Sequence, residues 1–153
     1  MIRFKSVATF IFVLSAVFSA GYAFAGSEVY SQVGAGGYDL VSYHQADGPK
    51  EGTGLFVVEH ADVNYLFSSE ENKNTFAENP DKYLPAYGGW CAYGAALGKK
   101  FIGDPKVSKI VDGKLYLNLN NEIQGKWEAE LQKNIAAANE KWNVIKDKSP
   151  SEL

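Results

Sequence analysis

The chain has 153 residues with 18 acidic against 15 basic side chains and a net charge near −3, which argues against nucleic acid as its main partner. Its single cysteine, Cys91, excludes an internal disulfide framework and a haem-attachment motif. Arg3 and Lys5 precede an apolar run over 7–20, and Ala23-Phe24-Ala25 supplies small residues at the positions a signal peptidase reads. Residues 1–25 therefore read as a cleaved secretory signal, and the remainder, 26–153, as one exported domain in the periplasm. The apolar run is short for a bilayer span, which needs ~20 residues, so no membrane span is expected after cleavage.

In chain order, Gly34 to Gly37 reads as a glycine-rich loop without the spacing of a nucleotide-binding fingerprint. Tyr38 to His44 has the aromatic and β-branched content of a short strand, and Asp47-Gly48-Pro49 turns the chain. The runs 55–60 and 65–67 predict a β-hairpin closed by a four-residue loop, Ala61 to Asn64. Ser68 with Glu71 has the form of a capping box, which predicts a helix over 69–78 anchored by Phe76. Residues 81–84 read as a further turn of helix or a loop before Pro85.

Around the cysteine, Tyr87-Gly88-Gly89-Trp90-Cys91-Ala92-Tyr93 places glycines before the thiol and small residues after it, so Cys91 is expected at the start of a short helix. A thiol there meets unpaired backbone N–H groups, which favour nucleophilicity and metal affinity. Asp112-Gly113 between two strand-like runs predicts a second hairpin, expected to share one antiparallel sheet with the first. From Ile123, apolar positions recur every three or four residues through Trp127, Leu131, Ile135, Ala138, Trp142 and Ile145, one face of one or two helices, with a frayed tail after 147. The fold class is α+β, a small antiparallel sheet of hairpins packed against helices.

Several phrases recur in the order of a known family: Gly37-Tyr38-Asp39, Tyr65-Leu66-Phe67-Ser68-Ser69, Phe76, Asn79-Pro80-Asp81-Lys82-Tyr83, the cysteine block, and Asp112 to Asn118. Over about residues 34–145 the chain resembles the exported bacterial YHS-domain family, some members of which carry selenocysteine where Cys91 stands. Related YHS domains occur in metal-handling proteins, so the resemblance implies transition-metal binding or tolerance, copper first and zinc next. The chain departs from those relatives: Ser68 and Asn72 stand where they place cysteines, Leu40 replaces a proline, and His44 replaces a phenylalanine.

With no methionine after the signal, soft or borderline donors are limited to Cys91, His44 and His60, so a metal site would pair Cys91 with His44. His60, near a hairpin loop, reads as a surface residue. Tyr38, Asp39, Tyr43, Tyr87, Trp90 and Tyr93 are expected to line one cleft over Cys91. Two other readings stand beside the metal: Cys91 as a redox thiol reacting with peroxide or an external disulfide, and a non-catalytic module binding a small ligand or a protein.

Overall fold

The computed structural model describes residues 33–153, so the signal over 1–25 lies outside the described residues. Among the described residues, four strands form two separate two-stranded antiparallel sheets: β1 (Thr53–His60) with β2 (Val63–Phe67), and β3 (Asp104–Val111) with β4 (Lys114–Asn118). Five helices accompany them: α1 (Glu70–Glu78), α2 (Pro80–Tyr83), α3 (Ala92–Ala96), α4 (Asn121–Ala129) and α5 (Leu131–Ile145). The α+β class holds, but the hairpins do not share a sheet.

Other expectations are corrected locally. The first hairpin closes on two residues, Ala61 and Asp62, both at positive φ, so Val63 and Asn64 belong to β2. That left-handed pair matches the twist of the flanking strands. The cap of α1 is Ser69, whose side chain accepts from the Asn72 N–H at 3.1 Å; Ser68 is engaged elsewhere. Tyr38 to His44 is not a strand: after an isolated bridge at Tyr38 the chain turns, then forms a 3-10 turn over Ser42–His44. The tail is ordered by a capping box at Ser149 and Glu152, with Lys100 Nζ donating to the carbonyls of Lys146 and Lys148 at 2.7 and 2.5 Å.

The chain repeats itself. A left-handed turn at Ala35, Gly36 and Gly37 (φ 50, 60 and 83) recurs at Tyr87, Gly88 and Gly89 (φ 54, 61 and 85). The Asp39 N–H donates to the Lys50 carbonyl at 2.9 Å, as the Cys91 N–H does to that of Phe101 at 2.8 Å. Tyr38 bridges Glu51 as Trp90 bridges Ile102. Each hairpin follows with the same register slip, between Thr53 and Val57 and between Asp104 and Ser108, and the same two-residue turn. Each then passes through a capping residue, Ser69 or Asn120, into a nine-residue helix.

Counterparts from the hairpins onward stand 51 positions apart, as Thr53 and Asp104 or Phe76 and Trp127 do. The glycines before each hairpin agree: a Cβ on Gly52 would lie 2.6 Å from Leu66 Cβ, and one on Gly103 2.7 Å from Leu117 Cβ. Neither position has room for a side chain.

There are two cores, and the first also takes in Leu115 and Leu117 from β4 of the second repeat. In the first, Phe67 and Phe76 pack at 5.0 Å between ring centroids beneath Leu40, Val41, Tyr43 and Tyr83. In the second, Trp127 stacks on Tyr116 at 5.3 Å and Tyr87 lies between Tyr116 and Trp142. Trp127 is fully buried, as the helical stripe predicts; Trp142 is half-buried at the edge of its cluster. The amphipathic α5 closes the second core through Leu131, Ile135 and Ala138.

Candidate functional site

Cys91 does cap the N-terminus of α3, and it is 1% exposed. Its Sγ accepts the Gly94 N–H at 3.4 Å and donates to Asn118 Oδ1 at 3.6 Å. The same Asn118 oxygen accepts the Tyr93 N–H at 3.2 Å, which fixes the amide with its carbonyl toward the sulfur. Asn118 Nδ2, turned the other way, is buried without a partner.

The repeat explains this arrangement. Asp39 is the counterpart of Cys91, and its Oδ1 accepts the N–H of Ser42, three residues on, at 3.2 Å, as Sγ does that of Gly94. Cys91 thus occupies a capping position that a carboxylate fills in the first repeat.

Asp39 itself is fully buried and faces no cation among its hydrogen-bond partners. Oδ1 also accepts from the Val41 N–H at 2.9 Å; Oδ2 accepts from the Ser68 N–H at 2.9 Å, Ser68 Oγ at 2.6 Å and Asn72 Nδ2 at 2.7 Å. Five donors hold one carboxylate, the satisfied form in which a buried charge is tolerated. Ser68 and Asn72 are both drawn into this cluster. It is a structural knot that ties the turn after Tyr38 to β2 and α1.

His44 is not among Cys91's hydrogen-bond partners. Its ring meets Tyr83 edge-on at 5.3 Å between centroids, and Nε2 is buried without a partner. Burial, then the Lys82 ammonium, holds its pKa below the ordinary histidine value. His60 packs edge-on against Phe76 at 6.2 Å. Among the described residues no three His, Cys, Asp or Glu side chains gather at one point. Sγ is engaged by Asn118 and Gly94, and the Lys82 ammonium acts on the His44 imidazole.

A group whose folded pKa is depressed contributes stability above its unfolded value and loses it as pH falls. Urea midpoints of the native chain are therefore expected to decline as pH drops below about 6.5, the unperturbed histidine value. The histidine's share of that decline should vanish in His44→Phe, which keeps a ring on Tyr83. An unchanged pH profile in the variant would remove His44 from the account.

The expected aromatic cleft divides between the cores. Tyr38 and Tyr43 belong to the first, with their hydroxyls donating to Glu51 at 3.0 Å and to the Pro105 carbonyl at 2.7 Å. Tyr87, Trp90 and Tyr93 lie with the second; the Tyr87 hydroxyl donates to Asn139 Oδ1 at 2.9 Å. Burial drives the pKa of both Tyr43 and Tyr87 upward, so both hydroxyls remain protonated donors.

The open space is elsewhere, between the repeats. A cleft of about 350 Å³ is walled on one side by Val33 to Gly36 with Val63 and Tyr65, and on the other by Gly88 to Trp90 with Ile102, Gly103 and Pro105. Both left-handed glycine turns face it. No family model, curated protein or solved structure matches the chain. The arrangement itself must therefore carry the functional reading.

Of the sequence-predicted site residues only Trp90 reaches this cleft, through the isolated bridge that pairs it with Ile102. Behind it, Lys100 Nζ stands 5.6 Å from the Trp90 ring and 5.3 Å from that of Trp142. The cleft's glycines gave the sequence reading no functional signal, because their contribution is the side chain they lack. The signal available was the recurrence of Gly-Gly-aromatic ahead of each hairpin, at Gly36-Gly37-Tyr38 and Gly88-Gly89-Trp90.

Proposed function

We propose that the protein is an exported, YHS-like, non-catalytic module that binds a small ligand in the cleft between its two repeats. The observation that carries this reading is the cleft itself. It is concave, mostly apolar and lined by backbone from both repeats, the ordinary character of a small-molecule site. Export rests on the charged, apolar and small segments in sequence over 1–25. The family affinity rests on the phrases from Gly37 to Asn118.

Thiol chemistry and metal capture at Cys91 have less behind them. The sulfur is sealed, hydrogen-bonded on two sides and placed where the first repeat puts a purely structural carboxylate. Cys91 braces one wall of the cleft by fixing the turn from Trp90 into α3.

A fragment screen read by amide shifts tests the proposal. Hits are expected to move the amides of Gly34, Gly36, Gly88, Gly89 and Gly103 together, to persist in Cys91→Ser and to be lost in Ile102→Trp, which fills the cleft from an exposed position. Hits that instead move Cys91 and His44, or none that move the glycines, would overturn it.

A further inference from the structure

Independently of any small ligand in the cleft, we infer that a second copy of this chain docks its β1 bulge on the turn at Gly88, repeating a contact that the two repeats already make inside one chain. In that internal contact the bulge that opens β3 sits on the first glycine turn. Pro105 Cγ lies 3.3 Å from where a Cβ on Gly36 would stand, and the Pro105 carbonyl accepts the Tyr43 hydroxyl at 2.7 Å. The next residue, Lys106, is hydrogen-bonded to Tyr38 and close enough to Glu51 to feel its carboxylate.

Both halves of this contact occur a second time, and the chain does not bring them together. The counterparts of Pro105 and Lys106 are Gly54 and Leu55, in the same bulge of β1. Nothing lies within 4 Å of a Cβ built on Gly54, and Leu55 is 85% exposed. The counterpart of Gly36 is Gly88, where a Cβ would meet only Trp90 Cδ1, at 3.8 Å. Trp90 and Ile102, which form one bridge, correspond to Tyr38 and Glu51, which form the other, and Ile102 is 55% exposed.

The residues on the two sides change together. Inside the chain a lysine meets a tyrosine and a glutamate; the open halves offer a leucine to a tryptophan and an isoleucine. A charge set against an apolar group loses hydration without gaining a partner, so each bulge suits the turn of its own character. Lys106 also shows that the bulge folds with a charged residue at this place, so folding does not call for an apolar one at Leu55. Joining one surface to a different one is a head-to-tail association, which closes into a ring or grows as a filament.

Sedimentation equilibrium of residues 26–153, from about 10 µM to about 1 mM, tests the contact, because so small an interface associates weakly. The mass of the native chain is expected to rise with concentration. Leu55→Lys and Ile102→Glu are each expected to remain monomeric. Both sites are exposed, and each substitution installs what the other repeat already carries there, so both variants fold. An equimolar mixture of the two is expected to associate again, since it restores one charged and one apolar pairing, and to do so less at high salt than at low.

A native chain that stays monomeric at about 1 mM overturns the contact. So does either variant associating as the native chain does, or a mixture that stays monomeric. Fragment shifts in the cleft are read on Leu55→Lys, so loss of this contact leaves the cleft reading standing.

Discussion

Replacing Asp39 by alanine is expected to cost about 3–5 kcal/mol of folding stability, the range for breaking a buried charged network from one side. The loss follows from the donors left behind. Without the carboxylate, the N–H groups of Val41, Ser42 and Ser68, the Ser68 hydroxyl and the Asn72 amide lose their acceptor inside the first core. Asp39→Asn keeps the shape but turns one NH₂ toward donors, so it should fall between alanine and the native residue. Urea unfolding measures both, and a loss under about 1 kcal/mol for alanine would mean that water replaces the carboxylate there.

The second large effect belongs to Trp127, the counterpart of Phe76. Trp127→Ala empties a fully buried site against Tyr116 and should cost about 3–5 kcal/mol. Trp127→Phe should cost far less. The indole Nε1 is buried without a hydrogen-bond partner, so the phenyl ring gives up volume but also removes an unsatisfied donor. If phenylalanine destabilises as much as alanine, the ring contact is not what the site supplies.

Much of this fold was legible from local signals. Asp112-Gly113 marks its hairpin because both turn residues need positive φ, and the stripe from Ile123 to Ile145 marks α4 and α5 because its period is helical. Ala61-Asp62 does the same job with residues that rarely adopt that conformation, so the turn looked longer than it is. Tyr38 to His44 looked like a strand from propensity alone. A buried carboxylate overrides that preference, since the backbone folds back so that the N–H groups of Val41 and Ser42 donate to Asp39 Oδ1.

The candidate site was less legible. Cys91 at a helix start was correctly placed by Gly88-Gly89, yet its burial depends on Asn118 and Phe101, which are distant in sequence. The duplication was hidden because, apart from the glycines before each hairpin, the two copies share little beyond Tyr-Leu, a capping residue and one buried ring, at Tyr65-Leu66, Ser69 and Phe76 against Tyr116-Leu117, Asn120 and Trp127. The cleft exists only once the two glycine turns are brought face to face.

The central claim is that Cys91 is a sealed structural cap and that binding takes place elsewhere. Iodoacetamide labelling of the native protein over a urea series tests it most directly. The account predicts that labelling in buffer is slower than that of the unfolded chain by the global unfolding constant, rises in step with global unfolding, and is unchanged by cuprous or zinc ion. Labelling of the folded protein at the rate of a free thiol, or protection by stoichiometric metal that His44→Phe abolishes, would contradict it and restore Cys91 as the reactive centre.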